Sequence, residues 1–590
     1  MNRYDDTLKL IRQALLRHKM SAYIFLSSDP HASEYLADRF QARAFFSHFH
    51  GSAGTFVVTT TEALLWCDGR YHLEATKLCD DLGMTLMKDG LPQTPSILDY
   101  LIQHLPADAR IGIDAQTTPT TLFSQWQKSL ATQKNIHLIG EVDLYQEIIP
   151  TRPPLPAQPI YPLPEQYTGV STKQKLQSLA DILKKEQIAS YLICPLDSLA
   201  YILNLRGSDV EFNPFFYGYL LVHADATADL FCATEALTPE AHEAINQAPI
   251  TIHPYETIGA YLQNIDKNTI YSSAQHLNHH LYQQITAKHT LSLGHDWVQH
   301  LKMIKNETEI HWLKTQYRQD GVAYVRFLKR LEDGEFHSEY DVVLALTQER
   351  EKEHAYRGES FPSIVGTASN GAIVHYRPTL DHHAPLTDGL LVIDSGAHYW
   401  GATTDITRTP CIGKPSLMAK YDYTMVLRAH IALASTPFPE FSTGAQLDGI
   451  TRALLWREGI NFGHGTGHGV GAMLSVHEEP FRINKLNTIP IRAGMTISNE
   501  PGIYRQGIHG VRLENIYISR PSHKENLFDT FLEWEPLTLV PFHTHAIEKS
   551  LMNPEEIAWV NLYHKKVYDE LSPHLDAEHQ AFLAKLTAPI

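Results

Sequence analysis

Cysteine is scarce in this chain: five thiols in 590 residues, at Cys67, Cys79, Cys194, Cys232 and Cys411, widely spaced and odd in number. That argues against a disulfide framework and fits a reducing compartment. No CxxC pair occurs, which removes a thiolate zinc site from consideration. Clustered basic charge is missing as well. The formal net charge is -17, and phosphate contacts need grouped Lys and Arg, so no nucleic-acid partner is expected. Long apolar runs are absent: no stretch of about 18 apolar residues is present to cross a membrane. The opening MNRYDDTLKLIRQALLRHKM is amphipathic and charged throughout, unlike a secretion signal. The expectation is a cytoplasmic protein with no membrane partner.

What is present is the composition of a folded globular protein, with 43% hydrophobic and 19% charged residues. The length is too great for one core and implies roughly three or four domains. A faint repeat runs through the N-terminal half. Leu8, Ile11 and Leu15 space an apolar helical face ahead of the β-rich Ala22–Leu26, and Leu176, Leu179 and Leu183 do the same ahead of Ser190–Cys194. Each copy continues with an apolar helical stretch, around Tyr35-Leu36 and around Tyr201-Ile202, and reaches a Gly-Ser turn at Gly51-Ser52 or Gly207-Ser208. The pattern reads as two related α/β domains, against the alternative that short helix–strand units recur by chance. Between the copies, six prolines from Pro153 to Pro164 favour an extended linker. The boundaries expected are 1–152, 165–305 and 306–590, the last beginning just before the helical pattern of Glu309 to Leu331.

Four segments of the C-terminal half carry metal-binding residue types. In LLVIDSGAHYWGATTDITRT two β-rich runs flank a turn, and pairing them as a hairpin brings Asp394 and Asp405 together. Like charges side by side are costly unless a cation neutralises them. HGTGHGVG, residues 464–471, is too rich in glycine for a helical histidine pair and reads as an irregular turn. In TISNEPGIY, Glu500 follows an apolar strand and precedes Pro501-Gly502. In GVRLENIYIS, Arg512 and Glu514 are two apart on a strand and share a face. Taken singly, each has a plain structural reading: turn-favouring aspartates, an Arg–Glu ion pair. Taken together, Asp394, Asp405, His468, Glu500 and Glu514 make an oxygen-rich set with one imidazole, suited to Mn²⁺, Co²⁺ or Zn²⁺. Four carboxylates balance two divalent cations, and a bridging water on such a pair loses a proton near neutrality, which is the chemistry of amide hydrolysis.

The order Asp, Asp, His, Glu, Glu resembles the pita-bread metallopeptidase family. The stretches SFPSIVGTASNGAIVHYRP from Ser360, IDSGAHYWGATTDITRT, HGTGHGVG, VRLENIYI, LRGSDVEFNPFF from Leu205, EPLTLVP from Glu535 and GSAGTFVVTTTEALLWCDGRYHLEA from Gly51 narrow the likeness to three-domain, cytosolic-type Xaa-Pro aminopeptidases (aminopeptidase P). The fold class this implies is α/β (α+β), two related N-terminal α/β domains of creatinase type and a C-terminal pita-bread domain. By that resemblance Asp394 chelates one metal, Asp405 and Glu514 bridge both, and His468 and Glu500 hold the other, with Glu500 also carrying a proton. His375 would sit near the scissile amide nitrogen, His477 would donate to the carbonyl oxygen, His464 would line the proline pocket and Arg512 would orient Asp394. The implied activity is a metalloaminopeptidase's release of an N-terminal residue preceding proline, with a metal-bridging hydroxide as nucleophile, two Mn²⁺ ions as cofactor and peptides with N-terminal Xaa-Pro as partners. A homodimer through the catalytic domain is also implied. The alternatives are an Xaa-Pro dipeptidase (prolidase), a metal-free creatinase-like enzyme and a non-catalytic peptide-binding pita-bread module. Asn499 departs from the acidic residue common in the family, and its strand position points it away from Glu500. Residues 546–590 look helical, with Ile557, Val560, Leu562 and Val567 among polar residues, and carry no assigned role.

Overall fold

The computed structural model describes residues 3–524 and 527–590. They form two compact units. One takes the chain up to Pro162 and again from Val170 to Val298; the other comprises Leu163–Gly169 and Gln299–Ile590.

The first unit holds two six-stranded sheets. In chain order, the strands of the first are Ala22–Leu26, Thr55–Thr59, Ala63–Cys67, Thr85–Lys88, Arg110–Ile113 and His137–Ile139. The opening strand lies fourth across the sheet, antiparallel to Thr55–Thr59 and parallel to Arg110–Ile113. The second sheet repeats that order and those directions, with Ser190–Ile193 in the opening place, antiparallel to Gly218–His223 and parallel to Thr269–Ser273. Helices Arg3–Arg17 and Thr172–Lys185 precede the two opening strands, as the spacing of Leu8, Ile11 and Leu15 and of Leu176, Leu179 and Leu183 predicts. Those six residues are all buried. The two N-terminal domains are therefore related α/β sheets.

The expected second helix forms only in the later copy, as Leu196–Leu203. Around Tyr35-Leu36 there is none, and the next helical turns are Asp38–Phe40 and Ala42–Ser47. Pro30, the left-handed backbone of Ala32 (φ 57°) and the Asp29 carboxylate, which accepts from the amides of His31 and Ser33, hold this stretch as a turn instead. At the end of the proline-rich stretch, Tyr161–Pro162 pairs as a short strand with Leu205–Arg206.

The second unit opens with helix Glu307–Glu332, started by a capping box in which Asn306 and Glu309 satisfy each other's amides. Its Tyr324 and Phe327 pack with Val342 and Leu346 of helix Glu339–Glu351 and with Leu391, Ile393 and Ile406. Strand Gly389–Ser395 thus turns Leu391 and Ile393 to the helices and Asp394 to the other side. The strand pairs antiparallel with Thr367-side residues Ile364–Thr367 and with Ile406–Arg408, while hairpin Gly502–Arg505/His509–Arg512 lies beside it. A six-stranded sheet contributes Gly467–Gly469, Thr496–Asn499 and Asn515–Pro521. Residues 546–590 form helices Pro554–Leu571 and Ala577–Leu586, whose Val560, Val567 and Leu583 join the main core. Leu562, on the first of these helices, is 69% exposed. No described helix is long and apolar enough to cross a membrane.

Candidate metal centre

The hairpin expected around Asp394 and Asp405 forms. Asp394 pairs with Thr407 and Ser395 with Ile406, so Asp405, one residue before its strand, arrives close to Asp394. His468 is not on an irregular turn: Gly467–Gly469 is a short strand between two neighbours. Glycine permits this, since a Cβ on Gly467 would lie 1.9 Å from the Ser498 carbonyl oxygen. Glu500 follows strand Thr496–Asn499 as expected. Arg512 and Glu514, however, do not share a strand. Arg512 ends one strand, Asn515 begins the next, and Glu514 lies between, its amide bonded to the Thr407 carbonyl. Arg512 pairs instead with Asp394 across 118 residues.

Asp394, Asp405, His468 and Glu514 are buried, and Glu500 beside them is half-buried. Ligand atoms of Asp405, His468 and Glu514 all lie within 4.8 Å of one another. His468 Nε2 is 3.5 Å from Asp405 Oδ2 and 3.5 Å from Glu500 Oε1. The other ring nitrogen, Nδ1, is 2.9 Å from the Gly469 carbonyl, to which it donates, so the Nε2 lone pair faces the carboxylates. Asp394 Oδ1 and Glu514 Oε1 are buried with no hydrogen-bond partner. Orphaned carboxylate oxygens in the interior are costly, and a divalent cation is the partner their chemistry wants. Burial raises the carboxyls of Asp405 and Glu514 well above their ordinary range, and the neighbouring carboxylates add to the rise. The Glu500 carboxyl is pushed up to about 7, chiefly by burial, with the Arg512 guanidinium opposing and Asp394 adding. The donor set and its unmet charge fit a site for divalent metal.

The surrounding residues are tied to this cluster. Arg512 donates to Asp394 Oδ2 from Nε (3.1 Å) and from a terminal nitrogen (2.6 Å), to the Tyr504 hydroxyl (2.9 Å) and to the Val374 carbonyl (3.3 Å), one residue before His375. His464 Nε2 lies 2.7 Å from the Tyr504 hydroxyl and Nδ1 2.7 Å from the Gly465 carbonyl. With both nitrogens engaged by the protein, His464 has its ring rather than a polar atom to offer a ligand. His477 packs edge-on against His468, ring centres 4.5 Å apart. Asn499 points away from Glu500, as expected: it is buried and donates to the His430 carbonyl at 3.0 Å.

Set beside known proteins, residues 312–520 match the model for metallopeptidase family M24, residues 8–143 and 151–309 each match a creatinase/prolidase N-terminal domain, and residues 530–590 match the C-terminal region of peptidase M24. A probable Xaa-Pro aminopeptidase P of Laccaria bicolor is 35% identical over 98% of this chain and 92% of its own length. The chain belongs to metallopeptidase family M24, among its Xaa-Pro aminopeptidases. Xaa-Pro aminopeptidase 1 of Dictyostelium discoideum is 33% identical over 96% of this chain and 93% of its own. The solved X-prolyl aminopeptidase of Caenorhabditis elegans, described as a cytosolic enzyme with a di-nuclear active site, superposes with a TM-score of 0.95 at 31% identity, covering 100% of both chains. As a member of this family the chain is a metal-dependent hydrolase of the aminopeptidase P type, with a C-terminal pita-bread domain behind two creatinase-type domains.

Sequence reasoning overlooked several residues of this aminopeptidase site. Thr407 donates to Glu514 Oε2 at 2.8 Å and accepts from Arg512 Nε at 3.2 Å, coupling two of the acids. Ser498 Oγ accepts from the His468 amide at 3.0 Å and lies 3.5 Å from Glu500 Oε1. Tyr504 joins Arg512 to His464. Glu478, next to His477, is buried between Lys302, 3.2 Å away, and Lys305. Thr407, Ser498 and Tyr504 lie within or beside the metal-bearing segments, at alternating strand positions that could have flagged them. Nothing local marks Lys302 or Lys305.

Proposed function

We propose that this chain removes the N-terminal residue from peptides whose second residue is proline, using two divalent metal ions held by Asp394, Asp405, His468, Glu500 and Glu514. The reading rests above all on one observation: ligand atoms of Asp405, His468 and Glu514 lie within 4.8 Å of one another, Glu500 Oε1 is 3.5 Å from His468 Nε2, and Asp394 Oδ1 and Glu514 Oε1 are buried and unpartnered. When bound, the ions supply Lewis-acid polarisation of the scissile carbonyl and an activated water. Manganese is the metal we favour, with cobalt or zinc able to use the same donors.

The remaining chemistry belongs to the chain's own groups. Glu500, whose Oε1 lies 3.5 Å from His468 Nε2, would take the proton released by the attacking water and pass it on. His477 donates to the carbonyl oxygen as negative charge develops there. His375 faces the amide nitrogen of the scissile bond. Proline makes that amide tertiary, so no N–H is available for positioning. The His464 ring, its nitrogens already satisfied, forms a wall for the proline ring. Arg512 keeps Asp394 aimed at the ions. We further propose divisions near residues 152–165 and 305 between the three domains, a homodimer and a cytoplasmic location.

The test is metal-stripped protein incubated with an Xaa-Pro-Xaa tripeptide and its Xaa-Ala-Xaa analogue, with and without Mn²⁺. Release of the first residue from the proline peptide alone, and only with metal, is the expected outcome. Cleavage restricted to Xaa-Pro dipeptides would make the chain a prolidase, and no cleavage at all would leave a peptide-binding module.

A further inference from the structure

The turn bearing His375 belongs to a long irregular stretch. Between strands Ile364–Thr367 and Gly389–Ser395 the chain forms only one short 3₁₀ turn, Ala368–Ala372. Such a stretch cannot hold a side chain at a reacting bond unless something outside it does the holding. On one side it meets hairpin Gly502–Arg512: the Val374 carbonyl accepts from Arg512, and a Cβ on Gly510 would fall 1.7 Å from the Gly371 carbonyl oxygen, so backbone lies on backbone. On the other side stands Glu339, the first residue of helix Glu339–Glu351 and wholly buried.

The Glu339 carboxylate gathers its donors from this one stretch. Oε1 accepts from the Thr367 amide at 2.9 Å and from Asn370 Nδ2 at 3.0 Å, while Oε2 accepts from the Tyr376 hydroxyl at 2.8 Å and the Ala384 amide at 2.7 Å. Among the described residues no Lys or Arg pairs with it. Its charge is met by these four donors and by the helix N-terminus at which it sits. A helix-starting acid needs none of them, because Ser338 already caps the helix. Tyr376 is the next residue after His375, so the path from the carboxylate to His375 runs through the Tyr376 side chain and one peptide unit.

We propose that Glu339 is a positioning residue of the aminopeptidase reaction, clamping the 367–384 stretch so that His375 is presented to the scissile bond. The proposal rests on the role given to His375 above. Both carboxylate oxygens act as acceptors, so glutamine is not an equivalent: its NH₂ would face donors that have nowhere else to turn.

The experiment compares Glu339→Gln, His375→Ala and the double variant, each loaded with Mn²⁺, on an Xaa-Pro-Xaa tripeptide, with hydrogen exchange followed by mass spectrometry. Glu339→Gln is expected to lower kcat about tenfold to a hundredfold, the scale of a small misplacement of a reacting group. It should speed exchange in peptides covering 367–384 and leave those containing Glu500 and Glu514 unchanged. In the His375→Ala background it should cost less than about twofold, because a group acting through His375 has nothing left to act on. Losses that multiply in the double variant, or unchanged exchange and rate in the single one, overturn the proposal. A fully active His375→Ala instead overturns the role of His375 itself. Tyr376→Phe and Asn370→Ala, each removing one donor, cover the case in which Glu339→Gln does not fold: smaller losses that vanish without His375 support the clamp, and unchanged rates overturn it.

Discussion

Replacing Thr407 by valine removes one hydroxyl from the metal centre and leaves its shape almost unchanged. That hydroxyl donates to Glu514 Oε2 at 2.8 Å and accepts from Arg512 Nε at 3.2 Å. The second contact is expendable, because Arg512 Nε also reaches Asp394 Oδ2 at 3.1 Å. The first is not: Glu514 Oε1 has no hydrogen-bond partner, so Thr407 is what aims this carboxylate. A hydrogen bond to a charged group contributes about 1.5–3 kcal/mol. If that energy fixes Glu514 for the metal, its loss weakens divalent-ion affinity roughly tenfold to a hundredfold, the range typical of groups that orient metal ligands. Titration of metal-stripped protein with Mn²⁺ against a competing chelator at fixed pH measures this directly. Thr407→Val should recover its rate in excess metal, and Thr407→Ser should bind like the parent. An affinity for Thr407→Val within about twofold of the parent would refute the reasoning.

Two further outcomes follow from the same site. The carboxyl of Glu500 rises from an ordinary value near 4.5 to about 7 when the chain folds without metal, chiefly through burial, and those of Asp405 and Glu514 are raised by the same cause. Folded protein therefore holds more protons than unfolded protein above pH 4.5, and metal-free stability falls as pH climbs through 7. Metal reverses this by displacing those protons, so the gain in thermal midpoint on adding Mn²⁺ should be larger at pH 8 than at pH 5; an equal gain would contradict the shifts. Gly510→Ala places a methyl 1.7 Å from the Gly371 carbonyl oxygen. Backbone cannot rotate away, so this variant should melt earlier by a clear margin and lose activity, as overpacking by about 1–3 kcal/mol or more would have it. A stable, active Gly510→Ala would show that the two strands of chain stand further apart.

Three of the candidate ligands were legible because they sit where strand chemistry changes. Asp394 ends one β-rich run and Asp405 begins the next, Glu500 precedes Pro501-Gly502, and a hairpin register is enough to bring the first two together. The repeat was legible because helix Arg3–Arg17 and helix Thr172–Lys185 carry the same apolar spacing ahead of a buried strand. Long-range partnership was not legible from the residues alone; that Arg512 serves Asp394 came only from the family resemblance. Arg512 reads as a companion of Glu514 two residues away, but the chain leaves its strand at Leu513, and the guanidinium turns to an acid 118 positions distant. Tyr35-Leu36 looks helical by hydrophobicity, yet the conformation there is decided by Pro30, Ala32 and the Asp29 side chain. Glu339 carries no local mark at all, since a Glu opening a helix after a serine is ordinary capping chemistry; its partners lie 28 to 45 residues later.

The short stretch Leu163–Gly169 belongs to the second unit although it is flanked on both sides by chain of the first. Its helix Glu165–Thr168 brings Tyr167 to Trp312, ring centres 4.6 Å apart, and the Gln166 carbonyl to the Trp312 indole at 2.7 Å. On the ribosome these few residues emerge well over a hundred positions before the tryptophan that receives them. The neighbouring first-unit segments can complete their sheets as they appear, whereas this strap must wait, unpaired, for the start of the catalytic half. A chain cut at Val170 or Gln299 to isolate the peptidase domain would leave that aromatic seat empty, so an independently expressed catalytic half needs the strap supplied ahead of it.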